Sequence, residues 1–573
     1  EVILAIFIDT QWRLHEWEKT GEGAPCESID EGSFLVHMKD ALRRNKDKKV
    51  IVVGNHPIYS NGPHGGYFPI TTHLFPPLLG TIYAAYRKNV GNLQDLSSSK
   101  YKTLRAGLED VFKIHPNLIY VTGHEKSLQY HNVDNQHHVI SGSINDAKPV
   151  VKGKTADFAY AANGFGRLNF YQNGDVILEF WVADGSEGKM AYSKKLFNQV
   201  YRETPEEDYG DLDFSEMTAS AVGDATLFKK DRKKPGLFGI NYRKEWATEL
   251  EVPVFDIGKE QGGLKILKRG GGMQTRSLRM ENADGKQYVL RSVEKFPEAA
   301  LPPILRKTFA SDLVKDQISA SHPYAALVIA PMADAVGVYH TNPKLVYVKD
   351  DPRFGKYRED FKNALYIYEE RPAKDRRDVD SFGNSKDIVN TLEVIEKTQK
   401  NDKRYVDQQH VLRSRIFDIF LGDWDRHDDQ WRWATFKDDE GREYYQPIPR
   451  DRDQAFFFGD GSVIEFASHK WGIPKYQGFH HDIRDIGGLQ FNARYFDRSF
   501  LTDLTEEEWV NMANEIKAGL TDEVIENAIQ ILPKPLYDLN GATIISKLKS
   551  RRDKLDVYSK QLYAFLSKTV NVV

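Results

Sequence analysis

Apolar positions near the start of the chain follow two different periods. The runs VILAIFI over Val2–Ile8 and KVIVV over Lys49–Val53 are short, β-branched and bounded by polar residues, the pattern of buried strands. Between them Phe34, Leu35, Met38 and Leu42 recur at helical spacing, which predicts a helix over Glu31–Arg44. The same reading predicts a helix over Lys102–Ile114 and a strand over Asn117–Val121. Short strands follow at Leu128–His131, His138–Ser141, Arg167–Tyr171 and Val176–Val182. The last two flank Gln172-Asn173-Gly174-Asp175, a hairpin signal. Residues 1–201 therefore read as an α/β layer unit with a β-rich end.

From Arg202 to Gly239 the periodicity fades. An acidic run, ETPEEDYGDLDFSE, is followed by a basic one, KKDRKKPG, and the segment reads as a linker. A second unit, residues 240–573, starts β-rich through Leu264–Val293, turns helical after Leu301 and ends in a mostly helical tail from Glu506 to Leu566. It reads as an α+β domain.

Bulk composition narrows the function classes. With 573 residues and 40% hydrophobic content, the chain can bury more than one core. A net charge of -4 gives no basic excess for nucleic acid. No apolar run is long enough to span a bilayer. A single cysteine, Cys26, excludes an internal disulfide framework. The chain opens without Met inside an apolar stretch and without a basic leader, so the expectation is a start within a domain, on a central strand.

Two loops of the first unit share a design: each follows a buried-looking strand and carries histidine. One is VVGNHPIYSNGPHGG, with Asn55, His56 and His64. The other is NLIYVTGHEKSLQY, with His124 and Lys126. Together with IDTQWRLHEW and the closing NFYQNGDVILEFW, these stretches resemble the calcineurin-like metallophosphoesterases, in their purple-acid-phosphatase-like branch, over residues 1–185. The resemblance implies a half-domain of mixed sheet with flanking helices. It also implies a two-metal site of Fe, Zn or Mn that clamps a phosphate ester and generates hydroxide. On the family's Gly-His-x-Pro motif the ligand position falls on Asn55, and His56 takes the variable position. On its Gly-His-x-His motif His124 matches, and the second ligand position falls on Lys126. His64 matches the branch's substrate-side histidine, which binds phosphate or protonates a leaving group. An ammonium group at Lys126 adds positive charge beside two cations and cannot ligate while protonated. The family's early Asp-x-His, Gly-Asp-x-x-Asp and Gly-Asn-His motifs would precede IDTQW and are absent. Metal is thus expected to bind weakly. The other histidines of the region, His131, His137 and His138, are expected to be ordinary hydrogen-bonded residues.

The second unit holds FDIFLGDWDRHDDQWRW and then YQPIPRDRDQAFFF, two acidic loops flanking a predicted hairpin that turns at DDEGRE. Phosphoryl-transfer enzymes use this layout, one Asp orienting the acceptor and a downstream Asp holding Mg²⁺. The unit resembles the spore-coat-type atypical kinases and, more distantly, the phosphoinositide kinases. The resemblance makes Asp425 the acceptor-orienting Asp and Asp451 and Asp453 the metal pair. Gln430 stands where the family has Asn, with Asp428 or Asp429 as substitutes. A nucleotide-covering hairpin is expected from Gly270-Gly271-Gly272 to the returning strand YVLRSV, with Arg291 or Lys295 as the phosphate-balancing cation. ALYIYEERPA, from Ala364 to Ala373, has the look of a hinge strand. Against this, DWDRHDD and RDRD also suit a plain ion-pair lock between two loops.

Two functions fit these readings. One is a phosphate-ester hydrolase whose first site is impaired, joined to a kinase-like module that takes Mg–ATP. The other is a non-catalytic scaffold with both modules decayed. The resemblance places either in the bacterial periplasm or envelope, with a phosphorylated substrate and no nucleic-acid partner.

Overall fold

The computed structural model describes residues 3–15, 31–74, 76, 78–152, 155–185, 187–200, 212–224, 227, 239–270, 275–296 and 318–568. These fall into two compact units, one made of residues up to 200 and the other of residues from 212 onward.

The first unit is built on a six-stranded mixed sheet. Its strands are β1 (Ile3–Phe7), β2 (Lys49–Val53), β3 (Ile119–Thr122), β4 (Leu128–Val133), β5 (Gln136–Ile140) and β6 (Phe158–Tyr160), in the order β1-β2-β3-β5-β4-β6. β1, β2, β3 and β5 run parallel, while β4 is antiparallel to both β5 and β6. One side of the sheet is packed by the helices Glu31–Arg44 and Ser99–Phe112, through Met38, Leu42, Leu104, Leu108 and Val111 against Val50, Val52 and Tyr120. Beyond Ile119, Leu128, Tyr130 and Val139 lies an antiparallel three-stranded sheet of β7 (Gly164–Phe170), β8 (Asp175–Asp184) and β9 (Glu187–Asn198). β8 alternates strictly, burying Val176, Leu178, Phe180 and Val182. Two helices that the apolar spacing did not predict, Ile70–Leu74 and Leu79–Asn89, leave Ile70, Leu78, Leu79 and Ile82 exposed and bury only the small Gly80 and Ala84.

His131, His137 and His138 lie on β4 and β5 at 0%, 3% and 5% exposure. All three are core residues, and two are hydrogen-bonded as expected: His131 to Thr155 and Gln129, His137 to the Tyr130 hydroxyl, whereas His138 Nδ1 is buried without a partner. His138 packs edge-on against Tyr59. Burial holds His131 and His137 at about 4 and His138 at about 3, below the ordinary 6.5. In the unfolded chain they protonate near 6.5. The stabilisation is therefore complete above pH 6.5 and drains away as pH falls toward 4. On this scale the shift represents roughly 3 kcal/mol each for His131 and His137 and roughly 5 kcal/mol for His138. We expect acid unfolding of the first unit near pH 5, followed by circular dichroism. His138→Phe should move the midpoint to lower pH; an unmoved midpoint rejects this account.

The second unit contains an antiparallel five-stranded sheet in the order β12-β13-β14-β16-β15. Before it, β10 (Thr218–Ala221) pairs with β11 (Leu250–Pro253). Part of the segment read as linker thus forms a strand; TASA has too little apolar character to announce one. The five strands are β12 (Lys265–Gly270), β13 (Thr275–Glu281), β14 (Gln287–Lys295), β15 (Lys344–Val348) and β16 (Ala364–Glu370). One face carries Leu278, Met280, Tyr288, Leu290, Tyr366 and Tyr368 into a core of their own. By alternation the other face carries Arg279, Val289, Arg291, Val293, Lys295, Ile367 and Glu369.

A four-stranded sheet follows: β17 (Ile388–Asn390), β18 (Arg404–Val406), β19 (Trp431–Lys437) and β20 (Glu443–Pro449), in the order β17-β19-β20-β18. The helix Gln408–Leu421 is buried on every side from Ser414 through Leu421 and contributes Ile416, Phe417, Ile419 and Phe420 to the largest core. The helical tail, including Glu506–Gly519 and Leu555–Leu566, packs into the same core through Trp509, Ile516, Leu555 and Leu562. Among the described residues no helix is long and apolar enough to cross a membrane.

Candidate functional site

In the first unit the parallel pairing of β2 and β3 brings the two histidine loops out at one sheet edge. A Cβ on Gly123 would lie 3.8 Å from Asn55 Oδ1, so the Asn55 amide sits beside the His124 loop. The His124 ring lies between those of His56 and His64, with centroids 4.4 and 4.1 Å away. Both His124 and Lys126 take positive φ, 68° and 54°, an unusual backbone for residues with side chains.

The hydrogen bonds fix the ring roles. The Thr10 hydroxyl accepts from the N–H groups of Asn55 and His56 and meets His56 Nδ1 at 2.8 Å. His56 Nε2 bonds the Gln94 side chain at 2.8 Å, so both nitrogens of His56 are engaged. His124 donates from Nε2 to the Gln94 carbonyl at 3.0 Å. Burial and the neighbouring His64 hold His124 down to about 4, so it is neutral at pH 7. His64 Nδ1 bonds Asp95 at 2.9 Å, and Arg87 clamps the same carboxylate with two N–H groups. Asp95 is buried, yet these bonds hold it at about 2. Glu125, absent from the motif reading, is buried and accepts from the Ser60 hydroxyl and the Gly65 and His64 N–H groups, tying the His64 loop down.

Lys126 turns aside to Asp146, 2.8 Å away, with both groups exposed. The described residues leave His64 Nε2, His124 Nδ1 and the Asn55 oxygen as donors, which does not fit a two-metal centre. Among the described residues no group of three or more His, Cys, Asp or Glu is arranged to hold a metal. Elemental analysis of the purified chain should accordingly find less than one Fe, Zn or Mn per molecule; two tightly held ions lost on His124→Ala would overturn this.

The second unit gathers its predicted residues at one end of the β19–β20 hairpin. Trp431 pairs with Pro449, so the loop before β19 and the loop after β20 meet. The first loop begins where Gly422, at φ 69°, ends the buried helix. The second begins at Asp451, which takes φ 55°. Arg291 from β14 bonds Glu369 at 3.0 Å and Asp451 at 3.2 Å. Lys295, four residues on along the same face, is ion-paired with Asp453. Trp246, Ser292, Ser321, His322 and Ile367 line the rest of this cleft. Burial works against the Asp451 charge, but Arg291 and Lys295 outweigh it and hold its pKa below the ordinary value.

Asp425 is half-buried and accepts from the Asn492 amide at 2.7 Å. Burial raises its pKa, and Asp453 raises it further, which places the two carboxylates within electrostatic reach. Lys475 bonds the Asn492 oxygen at 3.1 Å and lies over the Trp424 ring. Gln430 is buried, with its side-chain nitrogen 3.5 Å from His427 Nε2 and its backbone carbonyl accepting from the Arg450 backbone N–H. Asp429 faces Arg432 and Arg450 rather than the Asp453 side. Gly270 ends β12, while Gly271 and Gly272 lie outside the described residues.

Below the site, Asp418 receives Arg415, Arg426 and Arg452, and Arg415 also binds Asp497 at 2.6 Å. Arg426 and Arg452 thus serve Asp418 and Asp423, not Asp451 or Asp453. Glu369, Asn492, Lys475 and Asp418 were missed in the sequence because no motif or period marks them. Asn492 lies 67 residues from its partner Asp425.

Asp451 and Asp453 carry the oxygen donors that a hard divalent cation takes, but here each is ion-paired, with Arg291 and Lys295, and the absence of a metal-holding group of His, Cys, Asp or Glu among the described residues applies to this unit as well.

No protein-family model matches the chain, and no curated protein does. Among solved structures it is similar to one described as GAP50, the anchor in the inner membrane complex of Plasmodium. The identity is 21% and the TM-score 0.21, over 35% of this chain and 50% of that one, so this chain spans about half that structure's length.

Proposed function

We propose that the chain acts on phosphate groups through its second unit, a kinase-like site that takes Mg–ATP, and that its first unit is a metallophosphoesterase-like half-domain with an impaired centre. The observation that carries this reading is the convergence of Arg291 and Lys295, from the third strand of the five-stranded sheet, on Asp451 and Asp453. Asp453, Asp451 and Gln430 would hold the cation, which when bound supplies charge neutralisation across the phosphates. Arg291 and Lys295 exchange carboxylate for phosphate oxygens and fix the phosphate chain. Asp425 accepts the acceptor's hydroxyl proton; the Asn492 amide occupies its Oδ1 and leaves Oδ2 for that hydrogen bond. The envelope setting rests on the family resemblance alone.

The same ion pairs also favour a second reading, a non-catalytic scaffold in which Arg291–Asp451 and Lys295–Asp453 lock the two sheets together. Calorimetry with Mg–ATP on wild type and Asp453→Ala separates the two. The kinase-like site gives saturable heat in the wild type and loses about tenfold or more of that affinity in the variant, the weight of one charged metal ligand. Absence of heat in both proteins, with lowered stability in the variant, leaves only the lock.

A further inference from the structure

The helix Leu79–Asn89 exposes the side chains that a helix ordinarily buries. Gly80 and Ala84 are buried on the first unit, and Arg87 from the same side bonds Asp95 at 2.6 Å. A Cβ on Gly66, in the His64 loop, would lie 2.7 Å from Lys88 Cα, so helix and loop are in close contact. Ile82, Tyr83 and Tyr86 follow Leu79 at the three-, four- and seven-residue offsets that align side chains on one helix face. Leu79 is 64% exposed, Ile82 63%, and Tyr83 and Tyr86 47% each. The preceding helix, Ile70–Leu74, packs beside this one and adds two more exposed side chains, Ile70 and Leu74. Single exposed apolar residues need no explanation, but a stripe of them on two adjoining helices marks a surface that meets another body.

Two observations identify that body. First, the hydroxyls beside the stripe are bonded within this segment. The Tyr83 hydroxyl accepts from Arg87 at 2.6 Å, the Tyr86 hydroxyl donates to the Gly91 carbonyl at 3.1 Å, and the Thr81 hydroxyl donates to the His73 carbonyl at 3.1 Å. The Asn89 amide donates to the Ala85 carbonyl at 2.7 Å. Polar groups bonded in this way enter an apolar phase without the cost of an unmet hydrogen bond. A protein partner would not require it, because it brings donors and acceptors of its own. Second, no Asp or Glu occurs from Lys48 to Gln94, in a chain that has 83 of them, and Asp95 is buried and held by Arg87 and His64. The basic side chains between Tyr67 and Gln94 are His73, Arg87 and Lys88. Nothing in this stretch repels an anionic surface, whereas a two-fold contact with a second copy would set two basic faces together.

We propose that the helices Ile70–Leu74 and Leu79–Asn89 form a membrane-docking face that lies in the interface of an anionic phospholipid bilayer, with its apolar stripe at the acyl boundary. This is attachment to a surface rather than a span, and it rests on neither of the two sites described above.

The test is flotation of the full chain with vesicles of phosphatidylcholine and of phosphatidylcholine containing about one quarter phosphatidylserine. Binding to the mixed vesicles is expected, with weaker binding to phosphatidylcholine alone. Leu79→Asp and Ile82→Asp should each lower the partition coefficient by about tenfold or more, since a carboxylate must then enter the acyl boundary. Ile82→Leu should keep it. Because these side chains are exposed, neither Asp variant should change the melting temperature. Absence of vesicle binding overturns the proposal, and so does binding that both Asp variants leave unchanged. Concentration-dependent dimerisation in sedimentation velocity that Ile82→Asp abolishes, without vesicle binding, makes the face a contact between copies instead.

Discussion

On the proposed phosphotransfer reading, replacing Asp425 with asparagine is expected to lower phosphoryl transfer from Mg–ATP by about 10²–10⁴-fold while leaving Mg–ATP affinity nearly unchanged. The separation follows from position. Asp451 and Asp453 lie against Arg291 and Lys295 in the cleft, whereas Asp425 faces Asn492 on the other loop. Asparagine keeps the shape and still meets the Asn492 amide through its oxygen, but it cannot take a proton. The wild-type rate carries a second signature. Burial raises the Asp425 pKa, so activity should fall as pH drops through that raised value, and the residual activity of Asp425→Asn should lack this limb. Single-turnover release of the γ-phosphate, followed across pH for both proteins, reads both effects. A variant as fast as wild type removes Asp425 from the chemistry; a variant that loses Mg–ATP binding instead makes it a binding residue.

The largest stability effect is expected at Asp418. Its carboxylate lies in the interior of the second unit with Arg415, Arg426 and Arg452 around it, and the first two arginines are fully buried. Burial disfavours the Asp418 charge, yet the three guanidinium groups outweigh it and hold its pKa below the usual carboxylate range. Asp418→Ala leaves those cations without their shared anion. Removing one partner of a buried pair costs about 3–5 kcal/mol, because the remaining charge stays desolvated. Arg415 keeps Asp497, while Arg452 and Arg426 are left to share Asp423, at 3.3 and 3.7 Å, so Arg426, with the longer contact, is the group most exposed to the loss. Urea unfolding followed by tryptophan fluorescence should show the drop, since Trp431 stacks under the Arg426 guanidinium. A loss below about 1 kcal/mol would mean that the network reorganises around Asp423 and that Asp418 is not its anchor.

Much of the local structure was legible in the order of residues. The helix Glu31–Arg44 and the strand Lys49–Val53 have the bounds the sequence predicts, because the helix has one apolar face that its period reports and the strand is a short continuous β-branched run bounded by polar residues. The hairpin around Asn173-Gly174 was equally plain, since Gly174 takes φ 92° in a turn only a few residues long. The helix Leu79–Asn89 was not legible, because its apolar side chains are the exposed ones and its buried face is Gly80 and Ala84. Burial, not spacing, was inverted there.

For the sites, the chain by itself determined which acidic loops bracket a hairpin, because strand–turn–strand order is local: Asp425 precedes β19 and Asp451 and Asp453 follow β20. It did not determine which cations those carboxylates meet. Arg426 and Arg452 stand next to them in sequence, yet they point down to Asp418, while Arg291 and Lys295 come from a strand 158 to 160 residues away. Sequence neighbours share a backbone, not a direction: successive side chains of an extended segment leave on opposite sides. Which charge is neutralised by which partner is decided only when the two sheets close on each other.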